Sequence, residues 1–351
     1  MKALRWHGPR QLRLTELDVP SPGPGELRIA VAYCGICGSD LHEYLDGPHA
    51  IPIDAPHALS GRKAPLTLGH EFCGTVVERG PGTRLALGTR VAIEPEYRCG
   101  RCEYCLAGRY NLCRDMGFVG LMGDGGMAES VVVPDYTAHL LPDAVEMEQA
   151  AVFEPAAVAL HAVRQSSLRA GDACAVFGLG PIGQLIVMML RQLGAGRILA
   201  VDLSPQRLAQ AGAWGADRLI DARHEDAVRI IQAQTGGSGA AIAFEAGGTQ
   251  ATLDGALACL RKGGEAVLVG LMGRASLDIF ATINRELRIV SSVGYRDVYP
   301  TLIEWTARGR IDPSRIVSRV VSLQEAVSQG FDALVEDKEL LKVLVQPGAA
   351  P

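Results

Sequence analysis

The run "GDACAVFGLGPIGQLIVMMLRQLGAGRILAVDLS", residues 171–204, constrains the fold more than any other stretch. An apolar strand, a glycine turn, an apolar helical pattern and a second strand follow one another without interruption, which is the grammar of a βαβ unit. "GLGPIG" fits G-x-G-x-x-G through Gly178, Gly180 and Gly183, with Leu179, Pro181 and Ile182 between them, directly after "CAVF" and directly before a helix. The first glycine permits the tight turn, the second lets the backbone approach a pyrophosphate, and the third lets helix and strand pack closely. The helix N-terminus then offers unpaired N–H groups to the phosphates.

Asp202 ends the next strand, "ILAVD", 19 residues after Gly183, where a carboxylate accepts hydrogen bonds from ribose hydroxyls. Its charge repels a 2′-phosphate, so NAD is expected over NADP, while Arg207 five residues on would favour the opposite choice. "AIAFEAGG", "EAVLVGLMG" and "LRIVSSVG" read as further strands, with "TQATLDGALACLRKGG" a helix ending at a glycine stop. An α/β, doubly wound parallel sheet is therefore expected over 151–294.

A chain of 351 residues exceeds what one core usually organises, so a second domain is expected. Over 1–150, short runs such as "ELRIAVAYC", "FCGTVVERG", "TRVAIEP" and "AESVVVP" alternate with Pro/Gly turns and predict a β-rich domain. The amphipathic pieces "YPTLIEWTARGRI" and "LQEAVSQGFDALVED", then the strand-like "KVLVQP", make 295–351 a candidate return to that first domain. Disorder is expected only at the "QPGAAP" tail.

Thirty-four basic against 39 acidic residues give a net charge of −5, with no basic run interleaved with aromatics, so a nucleic-acid partner is not expected. The start lacks a signal-peptide core and no apolar run approaches the roughly 20 residues that span a bilayer, which points to the cytoplasm and away from a membrane.

The nine cysteines are odd in number and clustered, as suits metal ligands better than a disulfide framework. "CGRCEYCLAGRYNLC" places Cys99, Cys102, Cys105 and Cys113 in one compact C-x2-C-x2-C-x7-C run, enough to close a tetrahedral structural Zn²⁺ site. Arg98, Arg101, Arg109 and Arg114 flank it and are expected to offset its negative charge. An iron–sulfur cluster and a nucleic-acid-binding zinc ribbon are the rival readings. The single compact run and the acidic chain favour neither.

"CGICGSDLH", residues 34–42, also holds a C-x-x-C pair, but it ends a strand in a β-rich region, where a thioredoxin-type pair would open a helix. "LGHEFCG" supplies His70 and Glu71, and "VFEPAAVALH" supplies Glu154. One thiolate, one imidazole and one or two carboxylates suit a catalytic zinc with an open position.

With "CGICGSD", "GHEFCG", the four-cysteine run and "GLGPIG" in this order, the chain resembles the zinc-dependent medium-chain alcohol/polyol dehydrogenases over essentially its whole length. The resemblance implies a GroES-like β-rich catalytic domain beside a Rossmann domain, two zinc ions, NAD, and a homodimer or homotetramer. It also implies that Cys37 and His70 ligate the catalytic zinc, with Glu71 or Glu154 as a further ligand. Glu154 is the preferred resting ligand, Cys34 a core thiol, and Asp40 the acceptor of a hydrogen bond from the His70 ring. Ser39 and His42 match the proton-relay positions, Ser39 taking the proton of the substrate hydroxyl and His42 passing it outward. The remaining histidines (7, 49, 57, 139, 161, 224) are expected at the surface or in packing.

Within the family, "CGICGSDLHEYLDGP", the long link to "APLTLGHEFCG", "MGFVGLMGDGGMAE" and "VFEPAAVALHAVR" resemble the enzymes that oxidise (R,R)-2,3-butanediol to acetoin. Sorbitol or L-threonine oxidation, and a zinc-free or non-catalytic relative, are the alternatives. "EYLDGP", "FVGL" near Phe118, and Arg296 are expected to line the substrate pocket. The apolar last strand, "LRIVSSVG", is expected at a sheet edge covered by a partner.

Overall fold

Alternation of apolar and polar residues in Glu26–Gly35 makes this the organising strand of the first half of the chain. The computed structural model, which describes residues 1–348, divides into two units. One comprises Met1–Glu154 together with the chain from Tyr299 on, and the other comprises Pro155–Val298.

In the first unit, Glu26–Gly35 pairs antiparallel with Glu71–Arg79, Ser130–Pro134 and Lys342–Gln346, inside a seven-stranded sheet. Its core gathers Leu27, Ile29, Phe72, Val91, Val131 and Val343. Burying such side chains contributes roughly 1.5–3 kcal/mol each. The strand Lys342–Gln346, though last in sequence, lies beside the first long strand. "YPTLIEWTA" forms the helix Tyr299–Ala307. "LQEAVSQGFDALVED" forms a wide helical turn, Ala326–Phe331, that runs directly into a short helix, Asp332–Glu336. A Cβ at Gly330 would lie 2.7 Å from Ile36 Cδ1, so glycine lets this turn pack closely against Ile36.

In the second unit, six parallel strands run in the spatial order Arg218–Asp221, Arg197–Asp202, Ala173–Phe177, Ala240–Glu245, Leu260–Leu268, Arg288–Ser291. Chain order therefore reverses between Ala173–Phe177 and Ala240–Glu245, the position where doubly wound sheets open a ligand crevice. The expected glycine stop of the helix "TQATLDGALACLRKGG" is corrected. The helix is Gln250–Ala258, and Gly263 and Gly264 lie inside the next strand, at a bulge between the pairs Ala240/Leu260 and Ile242/Glu265. The strand Arg288–Ser291 is at the sheet edge, as read from "LRIVSSVG".

Among the described residues no helix is long and apolar enough to cross a membrane. Of the tail "QPGAAP", Gln346 ends a strand and residues 349–351 lie outside the described residues.

Candidate active site

Two strand ends and one helix start build the first cluster. Glu26–Gly35 runs into Cys37, which begins the helix Gly38–Asp46, and His70 immediately precedes the strand Glu71–Arg79. Antiparallel register sets Gly35 opposite Glu71. The result is a group in which Cys37 Sγ, one His70 ring nitrogen and one Glu71 oxygen all lie within 4.8 Å of one another. His70 and Glu71 are buried.

His70 Nδ1 faces Asp40 Oδ1 at 3.6 Å, an ion-pair distance too long for the hydrogen bond expected there. Asp40 instead turns its other oxygen to the Cys37 N–H, at 2.9 Å. Both facing atoms, His70 Nδ1 and Asp40 Oδ1, are buried without a hydrogen-bond partner among the described residues. Burial pulls the imidazole pKa down, but the charges of Asp40 and Cys37 outweigh it and hold the group well above its usual value. A thiol, an imidazole and a carboxylate converging in a buried site fit a zinc ion. A cation held there would balance the negative charges of Asp40 and Cys37 that face His70. Ser39 Oγ lies 3.3 Å from His70 Nε2, and His42 is exposed further along the same helix.

Lys342 is the residue that sequence reasoning missed. Its ammonium is buried, 2.7 Å from each Glu71 oxygen and 3.0 Å from the Ile36 carbonyl. Burial lowers its pKa, but Glu71 and then Cys37 outweigh that and raise it above the usual lysine value. A Cβ at Gly35 would lie 2.2 Å from Glu71 Oε2, so glycine opposite Glu71 makes room for this carboxylate. No local signal marks "KVLVQP" as part of a site, since its partner is 271 residues away. Glu154 is buried outside the Cys37–His70–Glu71 group and acts electrostatically on both Lys342 and Tyr299. Tyr299 is buried as well, and burial, then Glu154, Glu94, Glu96 and Glu71, push its phenol well above the usual pKa.

The expected pocket walls divide. Phe118 meets the His70 ring edge-on at 6.1 Å, beside the cluster. Glu43 is buried and accepts from the His49, Ala50 and Ile51 N–H groups, tying down the loop after its own helix. Arg296 lies in the other unit, where it acts on His161. Cys34 is a buried core thiol, as expected.

Cys99, Cys102, Cys105 and Cys113 bring their sulfurs within 4.8 Å of one another. The Cys99 N–H points at Cys113 Sγ and the Cys102 N–H at Cys99 Sγ, each at 3.3 Å. Backbone N–H groups pull Cys102 down to about 6, whereas burial pushes Cys105 up to about 12. Four thiolates this close need a cation, which fits a tetrahedral zinc. Of the four flanking arginines, Arg114 acts electrostatically on Cys102, and two of them make further contacts. Arg114 pairs with Glu103 at 2.7 Å, and Arg98 lies over the rings of Tyr110 and Tyr136 at 4.2 and 4.7 Å.

In the second unit the glycine loop caps the strand Ala173–Phe177 and starts the helix Pro181–Gln192. Gly178 has φ +88°, and a Cβ at Gly183 would lie 1.9 Å from Gly178 O. A Cβ at Gly180 would meet nothing within 4 Å. That open space beside backbone N–H groups fits a dinucleotide pyrophosphate. Leu179 N donates to Asp202 Oδ2 at 2.6 Å, and Asp202 Oδ1 accepts from Leu203 and Ser204 N–H at 2.8 Å. Pro181 and Ile182 form the first helical turn, and the Arg207 N–H caps onto Ser204 Oγ at 3.2 Å.

Glu245 is a second missed residue. It is buried at the end of the strand Ala240–Glu245, where Oε1 accepts from Gly247 N, Gly248 N and Thr252 Oγ1 at 2.7–2.9 Å. Its backbone carbonyl accepts from Val269 and Gly270, so it ties together the loops that follow two neighbouring strands. A carboxylate closing the apolar run "AIAFEAGG" was its only sequence signal.

Known proteins align with both units. A family described as "Alcohol dehydrogenase GroES-like domain" matches residues 23–143, and one described as "Zinc-binding dehydrogenase" matches residues 181–308. The chain is 41% identical to the (R,R)-butanediol dehydrogenase of Bacillus subtilis (strain 168), covering 99% of this chain and 100% of that one. It is 35% identical to the sorbitol dehydrogenase of the same strain, covering 99% and 97%. The crystal structure of 2R,3R-butanediol dehydrogenase from Bacillus subtilis superposes with a TM-score of 0.93 at 40% identity, covering 99% of each chain. Similar structures with cofactor include an Escherichia coli CFT073 alcohol dehydrogenase with NADH (TM-score 0.88, 29% identity, 99% of each chain). A Sinorhizobium meliloti 1021 zinc-binding dehydrogenase with NADP has a TM-score of 0.89 at 33% identity, again over 99% of each chain.

Proposed function

Because the chain belongs to the zinc-binding alcohol dehydrogenases, oxidoreductases that act on CH–OH donors, we propose that it interconverts (R,R)-2,3-butanediol and acetoin with NAD. The observation that carries this reading is the convergence of Cys37, His70 and Glu71, with Ser39 beside His70, in a chain alike over its whole length to butanediol dehydrogenases.

The first unit then serves as the catalytic domain, and Pro155–Val298 as the cofactor domain. Bound zinc supplies polarisation of the alcohol oxygen, and NAD supplies the acceptor for the carbinol hydride. Cys37 and His70 hold the catalytic ion with a carboxylate. Lys342 already engages both oxygens of Glu71, which supports Glu154 as the resting third ligand and Glu71 as the carboxylate close behind it. Ser39 Oγ takes the hydroxyl proton of the substrate, and His42, exposed on the same helix, releases it to water. Gly178–Gly183 seat the pyrophosphate, and the Asp202 charge, which favours ribose hydroxyls over a 2′-phosphate, supports NAD over NADP. Cys99, Cys102, Cys105 and Cys113 hold a structural zinc.

Two coarser properties complete the reading. We place the protein in the cytoplasm, which the nine unbridged cysteines support. We also place it in a homodimer or homotetramer, supported by the exposed apolar side chains Leu271, Ile279, Phe280, Ile283 and Val293 around the edge strand.

Initial rates with (R,R)-, meso- and (S,S)-2,3-butanediol, sorbitol and L-threonine, each with NAD and NADP, test the assignment on enzyme assayed for zinc. Preference for (R,R)-butanediol with NAD and about two zinc ions per chain is the expected result. Preference for sorbitol or threonine would remove the substrate assignment and leave the chemistry. Ser39→Ala should lower kcat by about 10²–10⁴, the usual worth of a positioned proton acceptor, without loss of zinc.

A further inference from the structure

A line of polar and aromatic contacts leaves the four-cysteine lobe and ends beside Glu154, all inside the first unit. Tyr110, between Cys105 and Cys113, donates its hydroxyl to Glu94 Oε1 at 2.7 Å. The other Glu94 oxygen lies 2.7 Å from His139 Nε2. The Glu94 side chain is only 4% exposed, so these two partners replace the water that a carboxylate requires. His139 stacks on Tyr299 with ring centroids 4.9 Å apart and planes 23° from parallel. Tyr299 anchors its hydroxyl on the Ile93 carbonyl at 2.8 Å and meets Phe153 edge-on at 6.4 Å. Phe153 directly precedes Glu154.

The line joins segments that share no local sequence. Ile93 ends one strand and Glu94 follows it, His139 lies on another, and Phe153 and Tyr299 each begin a helix. Arg98, over the Tyr110 ring, fixes the lobe end. A lobe serving only as a local clip would need neither a buried carboxylate nor a ring stack behind it.

We propose that Tyr110, Glu94 and His139 are positioning residues through which the four-cysteine lobe fixes Glu154 against the catalytic metal site. Loosening the lobe contact then loosens the metal held by Cys37 and His70, even while the four sulfurs keep their own. The inference rests on the reading of Glu154 as a catalytic-zinc ligand given above.

The test uses the full-length holoenzyme and its Co²⁺-substituted form, in which a four-thiolate site and a thiolate–imidazole–carboxylate site give different visible bands. Release of each metal to a chelator is followed for wild type, Tyr110→Phe, His139→Gln and the exposed lobe control Leu106→Ala. The expected result is release from the Cys37–His70 site at least fivefold faster in Tyr110→Phe and His139→Gln, with kcat lowered more than KM is raised. Leu106→Ala should leave that release within twofold of wild type. Release within twofold of wild type in both line variants, whatever happens at the lobe, would overturn the proposal. A wild-type protein that shows no thiolate–imidazole–carboxylate band would instead overturn the metal reading on which it rests.

Discussion

At the scale of single residues, Lys342 shows how much one side chain carries. Its ammonium is the cation against which the buried Glu71 carboxylate is balanced. Removing one partner of a buried pair leaves an uncompensated charge, at a cost of about 3–5 kcal/mol. Lys342→Met should therefore lower the urea midpoint sharply, while Glu71→Gln combined with Lys342→Met should recover much of the loss, because no charge is then stranded. Equal losses in the single and double variants would rule this account out. His161 gives a residue-scale prediction of opposite electrostatic origin. Burial, then the charges of Arg296 and Arg164, push its pKa down to about 4, from 6.5. Between those values the unfolded chain binds the proton and the folded one does not, so this contribution is complete above pH 6.5 and is lost as the pH falls toward 4. His161→Gln should flatten the fall of stability with acidification in that window, measured as denaturant midpoints across it. An unchanged pH profile would mean that other groups dominate. Neither residue was legible as important: Lys342 lay in an ordinary strand and His161 in an apolar helix.

At the scale of elements, the glycine loop separates two roles that the sequence motif merges. A side chain at Gly183 would strike Gly178 O, so Gly183→Val should push the helix Pro181–Gln192 off its strand and lower stability together with NAD affinity. Gly180 faces open space, so Gly180→Val should leave the melting temperature nearly unchanged and weaken NAD binding at least tenfold. Calorimetric titration beside thermal melts checks both, and tight NAD binding by Gly180→Val would refute the assignment of that space to the cofactor. The strands and helices of this unit were readable because their apolar runs and glycine punctuation are local. The helix expected to stop at Gly263–Gly264 was misread because a strand bulge uses glycine as readily as a helix end does.

At the scale of the whole molecule, the edge strand Arg288–Ser291 and the apolar side chains near it set the expected assembly. Leu271 and Phe280 are 79% and 78% exposed. The proposed homo-oligomer predicts that Phe280→Glu with Ile283→Glu yields monomers, read by light scattering during size-exclusion chromatography beside wild type; an unchanged oligomer mass would place the interface elsewhere, and a monomeric wild type would overturn the proposed assembly. The sequence by itself determined the order of the motifs, the four-cysteine cluster and the strand–glycine–helix unit, because each is written in residues close along the chain. Tertiary structure alone decided that the last strand lies beside the first long one, bringing Lys342 to Glu71 and leaving glycine opposite. It also decided that Glu43 ties down the loop after its helix, and that Tyr110, Glu94, His139 and Tyr299 meet. Those outcomes depend on strand register and packing between segments as far apart as Cys34 and Val345, and such pairings leave no periodic or local mark in the chain.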